Sequence, residues 1–279
     1  MSSVEVQIRK IAADLLSEGK VACVIGYETG STSKRTRPCF IRSPQDASRL
    51  VWNQYCTSNL AKYLVGTKDR VAVVAKGCDG RSMVELIKEN QLDRDKVVII
   101  APTCPGVAQT PDPCDGGPER LASYCVRCRS RDSPIFDFRV APGDTGREAA
   151  HASGNEGVSD EVTDWNAEFQ RCIRCLACIK SCPLCYCTEC ELDGSLQSLV
   201  SKLRIPAELP TFHLVRAMHM AGRCTECGAC EAACPANIPL TQLYSRVNAE
   251  VERTLGYVPG LDVRETPPVE LPRPQRESK

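Results

Sequence analysis

The sequence predicts two dissimilar units in tandem: an α/β domain over residues 1–140, then an all-α, cysteine-dense domain over 167–258. Three observations carry this. Apolar runs at 21–26, 71–75 and 97–101 alternate with helix-period segments in the first half, the pattern of a mostly parallel sheet covered by helices. Nineteen cysteines stand among 279 residues, and in the second half two runs repeat one spacing. Between the halves, residues 141–166 are rich in Gly, Ser, Asp and Glu and read as a linker.

Along the chain, Val4, Ile8, Ile11, Ala12, Leu15 and Leu16 lie close to one helical face over 4–18, and Gly19 stops the helix. A strand over 21–27 follows. The polar turn TGSTSKRTR leads to a short strand near 38–42, and Ser43 and Pro44 open a helical turn. The strand over 70–76 ends at KGCDGRS, a helix over 81–90 follows, and the strand over 97–101 ends at PTCPG. Ligands in such sheets gather beyond the carboxyl ends of strands. Cys78 and Cys104 are expected there, in loops containing glycine or proline. Beyond the linker, LQSLVSKL and HLVRAMHMAGR can form helices, and Leu240, Leu243, Val247, Val251 and Leu255 recur at near-helical spacing. The proline-containing tail, 259–279, is expected to be extended, either loose or docked on a partner.

Composition narrows the function. Lys plus Arg and Asp plus Glu balance at 35 each, so no basic field invites nucleic acid. The apolar runs fall far short of the roughly 20 residues that cross a bilayer, and no membrane span is expected. The start, MSSVEVQIRK, lacks the apolar stretch of a secretory leader, and an odd cysteine count argues against a disulfide scaffold. A reducing cytoplasm is the expected setting. Aromatic residues are only 5% of the chain, so metal ligation is expected to help hold part of it.

CIRCLACIKSCP supplies Cys172, Cys175, Cys178 and Cys182, and CTECGACEAACP supplies Cys224, Cys227, Cys230 and Cys234. Both runs read C-x2-C-x2-C-x3-C-P. In that pattern three closely spaced thiolates wrap one 4Fe–4S cluster, while the fourth ligates the other cluster of the pair. The expected sets are therefore Cys172, Cys175, Cys178 and Cys234 for one cluster, and Cys224, Cys227, Cys230 and Cys182 for the other. Zinc, which takes separated C-x2-C pairs, has no use for a third cysteine two residues on. His213 and His219 read as surface or capping residues, with donation to cluster sulfur as the alternative. Cys185, Cys187 and Cys190 read as free thiols or as part of a further metal site.

In the first half, Cys23 alternates within an apolar strand as a core residue. Cys125 and Cys128 form a C-x2-C clamp flanked by Arg127, Arg129 and Arg131, whose charges favour thiolate and offset a cluster. Four thiols, Cys78, Cys104, Cys125 and Cys128, could converge on one site, with Cys56 as a substitute ligand. A zinc site or reduced thiols are the alternatives.

The runs VAVVAKGCDGRSMVELIKEN, VVIIAPTCPGV and YCVRCRSRDSPIFDFRV resemble the iron–sulfur portion of the beta subunits of deazaflavin-reducing (coenzyme F-420) hydrogenases and their formate dehydrogenase relatives. The resemblance implies a third 4Fe–4S cluster on Cys78, Cys104, Cys125 and Cys128, beside FAD. The cysteine-dense second half resembles subunits found with heterodisulfide-reductase-like, hydrogenase and formate dehydrogenase assemblies, and the length of chain between Cys182 and Cys224, able to form helices, resembles that of α-helical ferredoxin domains. Other redox subunits of those kinds are the partners this implies. The order of parts departs from the hydrogenase pattern, since the dicluster segment comes last, and no G-x-G-x-x-G or Walker run places a nucleotide. FAD is therefore held as the alternative. The expected function is electron transfer through two or three clusters; the alternative is a flavin or deazaflavin site in the first half that splits a hydride into single electrons.

Overall fold

The computed structural model describes residues 3–109, 120–141, 164–193 and 199–268. Helix α1 spans Ser3–Ser17 and buries Val4, Ile8, Ala12 and Leu15, which share one face at helical spacing. It lies against a five-stranded sheet of β1 (Cys23–Thr29), β2 (Thr36–Ile41), β3 (Val71–Val74), β4 (Val97–Pro102) and β5 (Phe138–Val140), in the order β2-β1-β3-β4-β5. β1 and β2 form an antiparallel pair with Thr29 opposite Thr36, whereas β1, β3, β4 and β5 run parallel. Every residue of β3 and β4 is buried, as strands covered on both faces must be. β5 continues the hydrophobic segment after the C-x2-C clamp and was not anticipated as a strand. Its three residues are too few to show an alternation.

Beyond the sheet, every assigned element among the described residues is a helix: α4 (Trp165–Gln170), α5 (Ala177–Ser181), α6 (Leu209–His219), α7 (Ala229–Ala232) and α8 (Leu240–Leu255). In the first half, α2 (Gly77–Lys88) and α3 (Ser123–Val126) complete the set. α4 begins inside the expected linker, because the Asp164 carboxylate accepts the Asn166 and Ala167 N–H groups at 3.0 and 3.1 Å. Most of the linker, 142–163, lies outside the described residues, as does the tail beyond 268. LQSLVSKL falls partly outside them too, and its described end, 199–203, is not helical. No helix among the described residues is long and apolar enough to cross a membrane.

α2 joins the two halves. Arg81 donates to the Pro259 carbonyl at 3.0 and 2.7 Å and to the Thr225 carbonyl at 3.2 Å. One turn on, Glu85 accepts the Tyr257 hydroxyl at 2.8 Å and the Gly260 N–H at 2.6 Å. Glu89 pairs with Arg223. The start of the tail is thus docked on the chain's own first half. Gly260 has φ +77°, and a Cβ there would strike the Arg81 backbone, so only glycine fits.

Glu85 is fully buried and 3.3 Å from the Lys88 ammonium. Removing one partner of a buried charged pair costs about 3–5 kcal/mol. Glu85→Ala is expected to lose that much stability in denaturant unfolding and to expose the chain beyond 255 to protease.

Candidate metal centre

Because β3 and β4 are parallel neighbours, their carboxyl ends open on one edge of the sheet. Cys78 follows β3 and Cys104 follows β4. Cys78 sits in the first turn of α2 rather than in a loop. The Asp79 carboxylate accepts the Lys76 N–H at 2.8 Å, which starts the helix at Gly77, four residues before the sequence places it. The segment after β4 is laced to the segment after the clamp: the Cys104 N–H donates to the Arg131 carbonyl at 3.1 Å, and Thr103 to Asp132 at 2.8 Å. The Gly106 and Val107 N–H groups donate to the sulfurs of Cys104 and Cys125, each at 3.4 Å. Cys104 lies within electrostatic reach of Cys78, Cys125 and Cys128, and Cys125 within reach of Cys128.

Burial pushes the Cys104 thiol up to about 12 and those of Cys78 and Cys125 upward too. The buried Lys76 ammonium opposes that rise at all three. It is held 3.0 Å from Asp79 and donates to the Ser58 carbonyl at 2.7 Å. Arg127 and Arg131 keep buried N–H groups with no acceptor in the protein. Arg129, expected to join them, instead pairs with Glu252 of α8 at 2.7 Å. Cys56 is 1% exposed within the core. Its sulfur lies 4.0 Å from the Val51 carbonyl and 3.9 Å from Asn53, a packing position. Cys23 and Cys39 are also core residues, and Cys114 lies outside the described residues.

The two ferredoxin-type loops share one backbone. Arg174 and Leu176 adopt φ of 58° and 59° in the first, and Glu226 and Gly228 adopt 56° and 72° in the second. Left-handed torsions at alternate positions curl each loop around its own thiols. The Arg174 N–H donates to the Cys172 sulfur and the Glu226 N–H to the Cys224 sulfur, both at 3.4 Å. One cavity is lined by Cys172, Cys175, Cys178 and, from the far run, Cys234. The other is lined by Cys224, Cys227, Cys230 and, from the far run, Cys182. Among the described residues no three His, Cys, Asp or Glu side chains could hold a single metal ion; a four-iron cluster spreads its thiolates over four irons. Burial raises the thiols of Cys172, Cys178, Cys224, Cys227 and Cys230. Cys182 is the exception, brought down by a hydrogen bond from the Cys185 thiol.

The two histidines part company. His219 is exposed in the last turn of α6, whereas His213 is 1% exposed and lines the Cys172 cavity. Burial, then Arg216 and Arg174, bring the His213 imidazole down to about 4, so it is neutral near pH 7. Arg216, which no motif singles out, lines the Cys182 cavity. Cys185, Cys187 and Cys190 line an adjoining cavity of about 600 Å³, which shares Leu184, Arg216 and Met220 with the Cys182 cavity.

The first-half site and the second loop meet. Cys227 accepts a hydrogen bond from the Asn59 side chain, and its charge acts on Cys78. Gly228 lies so close to Tyr124 that a Cβ would enter the ring.

Residues 171–239 match the family model described as a 4Fe-4S dicluster domain. The chain is 25% identical to F420-dependent formate dehydrogenase subunit beta of Methanocaldococcus jannaschii, over 89% of each chain. It is 24% identical to F420-dependent formate dehydrogenase 1 subunit beta of Methanococcus maripaludis, over 91% of this chain and 90% of that one. A chain of the F420-reducing [NiFe] hydrogenase complex from Methanosarcina barkeri aligns over 38% of each chain at 18% identity, with a TM-score of 0.31, too low to define a common fold.

Overpacking a filled contact costs about 1–3 kcal/mol, and at Gly228 the left-handed torsion adds to it. Gly228→Ala is expected to lower the thermal unfolding midpoint and to loosen the contact with Tyr124, read as a rise in hydrogen exchange over residues 121–128.

Proposed function

We propose that this chain, an iron–sulfur electron-transfer subunit of an oxidoreductase complex, carries three 4Fe–4S clusters. Cys172, Cys175, Cys178 and Cys234 hold one, Cys224, Cys227, Cys230 and Cys182 the second, and Cys78, Cys104, Cys125 and Cys128 the third. The observation that carries this reading is the set of buried donors without protein acceptors. Among the described residues these belong to Arg127, Arg131, His213 and Arg216, and all four flank the three thiol sets. Leaving a buried donor unpaired costs about 1–3 kcal/mol, so such a grouping fits sites built around an electron-rich group. Bound there, each cluster takes up and returns one electron at a time.

The chain's own residues supply the order. Cys227 touches Asn59 and feels Cys78, which favours the second set as the middle station. Cys175 is exposed beside the exposed Ile173, which favours the first set as the contact with a partner. The names of the relatives support a formate dehydrogenase-type partner. An α-helical ferredoxin-like fold for 167–258 fits the helices found there. The same names also favour the second reading, a flavin or deazaflavin site that splits a hydride; flavin released from fully iron-loaded protein would support it.

Anaerobically purified protein is expected to contain about twelve irons and as many sulfides, and Cys104→Ala about eight. A wild-type content of about eight, unchanged by the substitution, would reject the third cluster. Thiol alkylation separates ligands from bystanders. Cys175 and Cys187 are both exposed; in loaded protein Cys187 is expected to react and Cys175 to be protected, and chelation of the iron is expected to unmask Cys175.

A further inference from the structure

We infer that α6 sets the redox potentials of the dicluster pair, with Arg216 acting on both clusters and His213 on the Cys172 site alone. The inference rests on the cluster reading above and concerns two residues outside the ligand motifs. They stand three apart on one helix, hence on one face, and each lines a different thiol cavity.

His213 is fixed by its neighbours. Its ring stacks on Phe169 with centroids 4.7 Å apart and planes 9° apart, and meets Phe212 edge-on at 4.9 Å. Neither ring nitrogen finds an acceptor in the protein. A neutral imidazole carries one N–H, so one donor is left over at the wall of the Cys172 cavity.

Arg216 is 2% exposed. One terminal nitrogen donates to the Cys178 carbonyl at 2.9 Å, the other to the Tyr244 hydroxyl, and Nε has no acceptor. The guanidinium also lies over the Tyr244 ring at 5.0 Å. No ion pair between Arg216 and a carboxylate is found among the described residues, and the charges that act on it are sulfurs: Cys230, Cys178, Cys182 and Cys185. A buried cation without a counter-charge is strongly unfavourable. Here the thiolates of both cluster sites supply it, since Cys178 belongs to one set and Cys182 and Cys230 to the other. A fixed positive charge favours the reduced, more negative cluster and raises its potential. A neutral N–H donor to sulfur acts the same way over a shorter range.

The test is an EPR-monitored redox titration of anaerobically purified full-length variants, with iron counted in each. Arg216→Gln is expected to lower both dicluster potentials. The larger shift should cut the reduced-to-oxidised ratio at fixed potential about tenfold, or 59 mV for a one-electron couple. Arg216→Lys, which keeps the charge, is expected to stay within about threefold of wild type. His213→Phe keeps the stack on Phe169 and is expected to lower one dicluster potential while leaving the other in place. Iron-free wild type would reject the cluster reading itself. Fully loaded Arg216→Gln with both potentials unmoved, a lysine variant shifted as far as the glutamine one, or His213→Phe that moves neither potential would overturn the inference. If Arg216→Gln fails to load iron, loading of Arg216→Lys supports the need for charge, and failure of both overturns it.

Discussion

Sulfur buried away from water has to be neutralised, and the architecture answers that requirement. Burial holds most of the thiols of the three cysteine sets in their protonated form, and a buried thiolate needs a metal or nearby positive charge to form. The chain provides that charge as buried cations: Lys76, paired with Asp79, beside the first-half set and Arg216 beside the pair in the second half. Formal neutrality over the whole sequence thus hides a buried cation, Arg216, that has no carboxylate partner among the described residues where the second-half sulfurs lie.

The sequence was most informative where structure is set by short-range spacing. The C-x2-C-x2-C-x3-C-P runs needed only local geometry, and the period of Leu240, Leu243 and Val247 reads directly as α8. The alternation of apolar runs and helices likewise pointed to a parallel sheet. What stayed hidden depends on partners far away in the chain. Arg216 looks like any helix arginine until Cys178 and Tyr244 close around it, and His213 is distinguished from His219 only by the ring of Phe169. The early start of α2 turns on one Asp79 side chain, and the docking of Pro259 on Arg81 spans most of the chain.

The paired loops show how one backbone meets two surroundings. Both need left-handed torsions at the same two places, yet the second of these is Leu176 in one loop and Gly228 in the other. A leucine tolerates that torsion at about 1–2 kcal/mol and lines the large cavity with its side chain. At Gly228 the Tyr124 ring occupies the space, so the loop that abuts the first half has given up its side chain to let that half approach.

The face that α2 turns toward the second half is built from Arg81, Ser82, Glu85, Lys88 and Glu89. A seam of this kind adds charge and directional hydrogen bonds to the apolar core that runs through both halves. Because hydrogen bonds are directional, the clasp of Arg81, Glu85 and Glu89 on the tail and on Arg223 fixes the orientation in which the two halves meet.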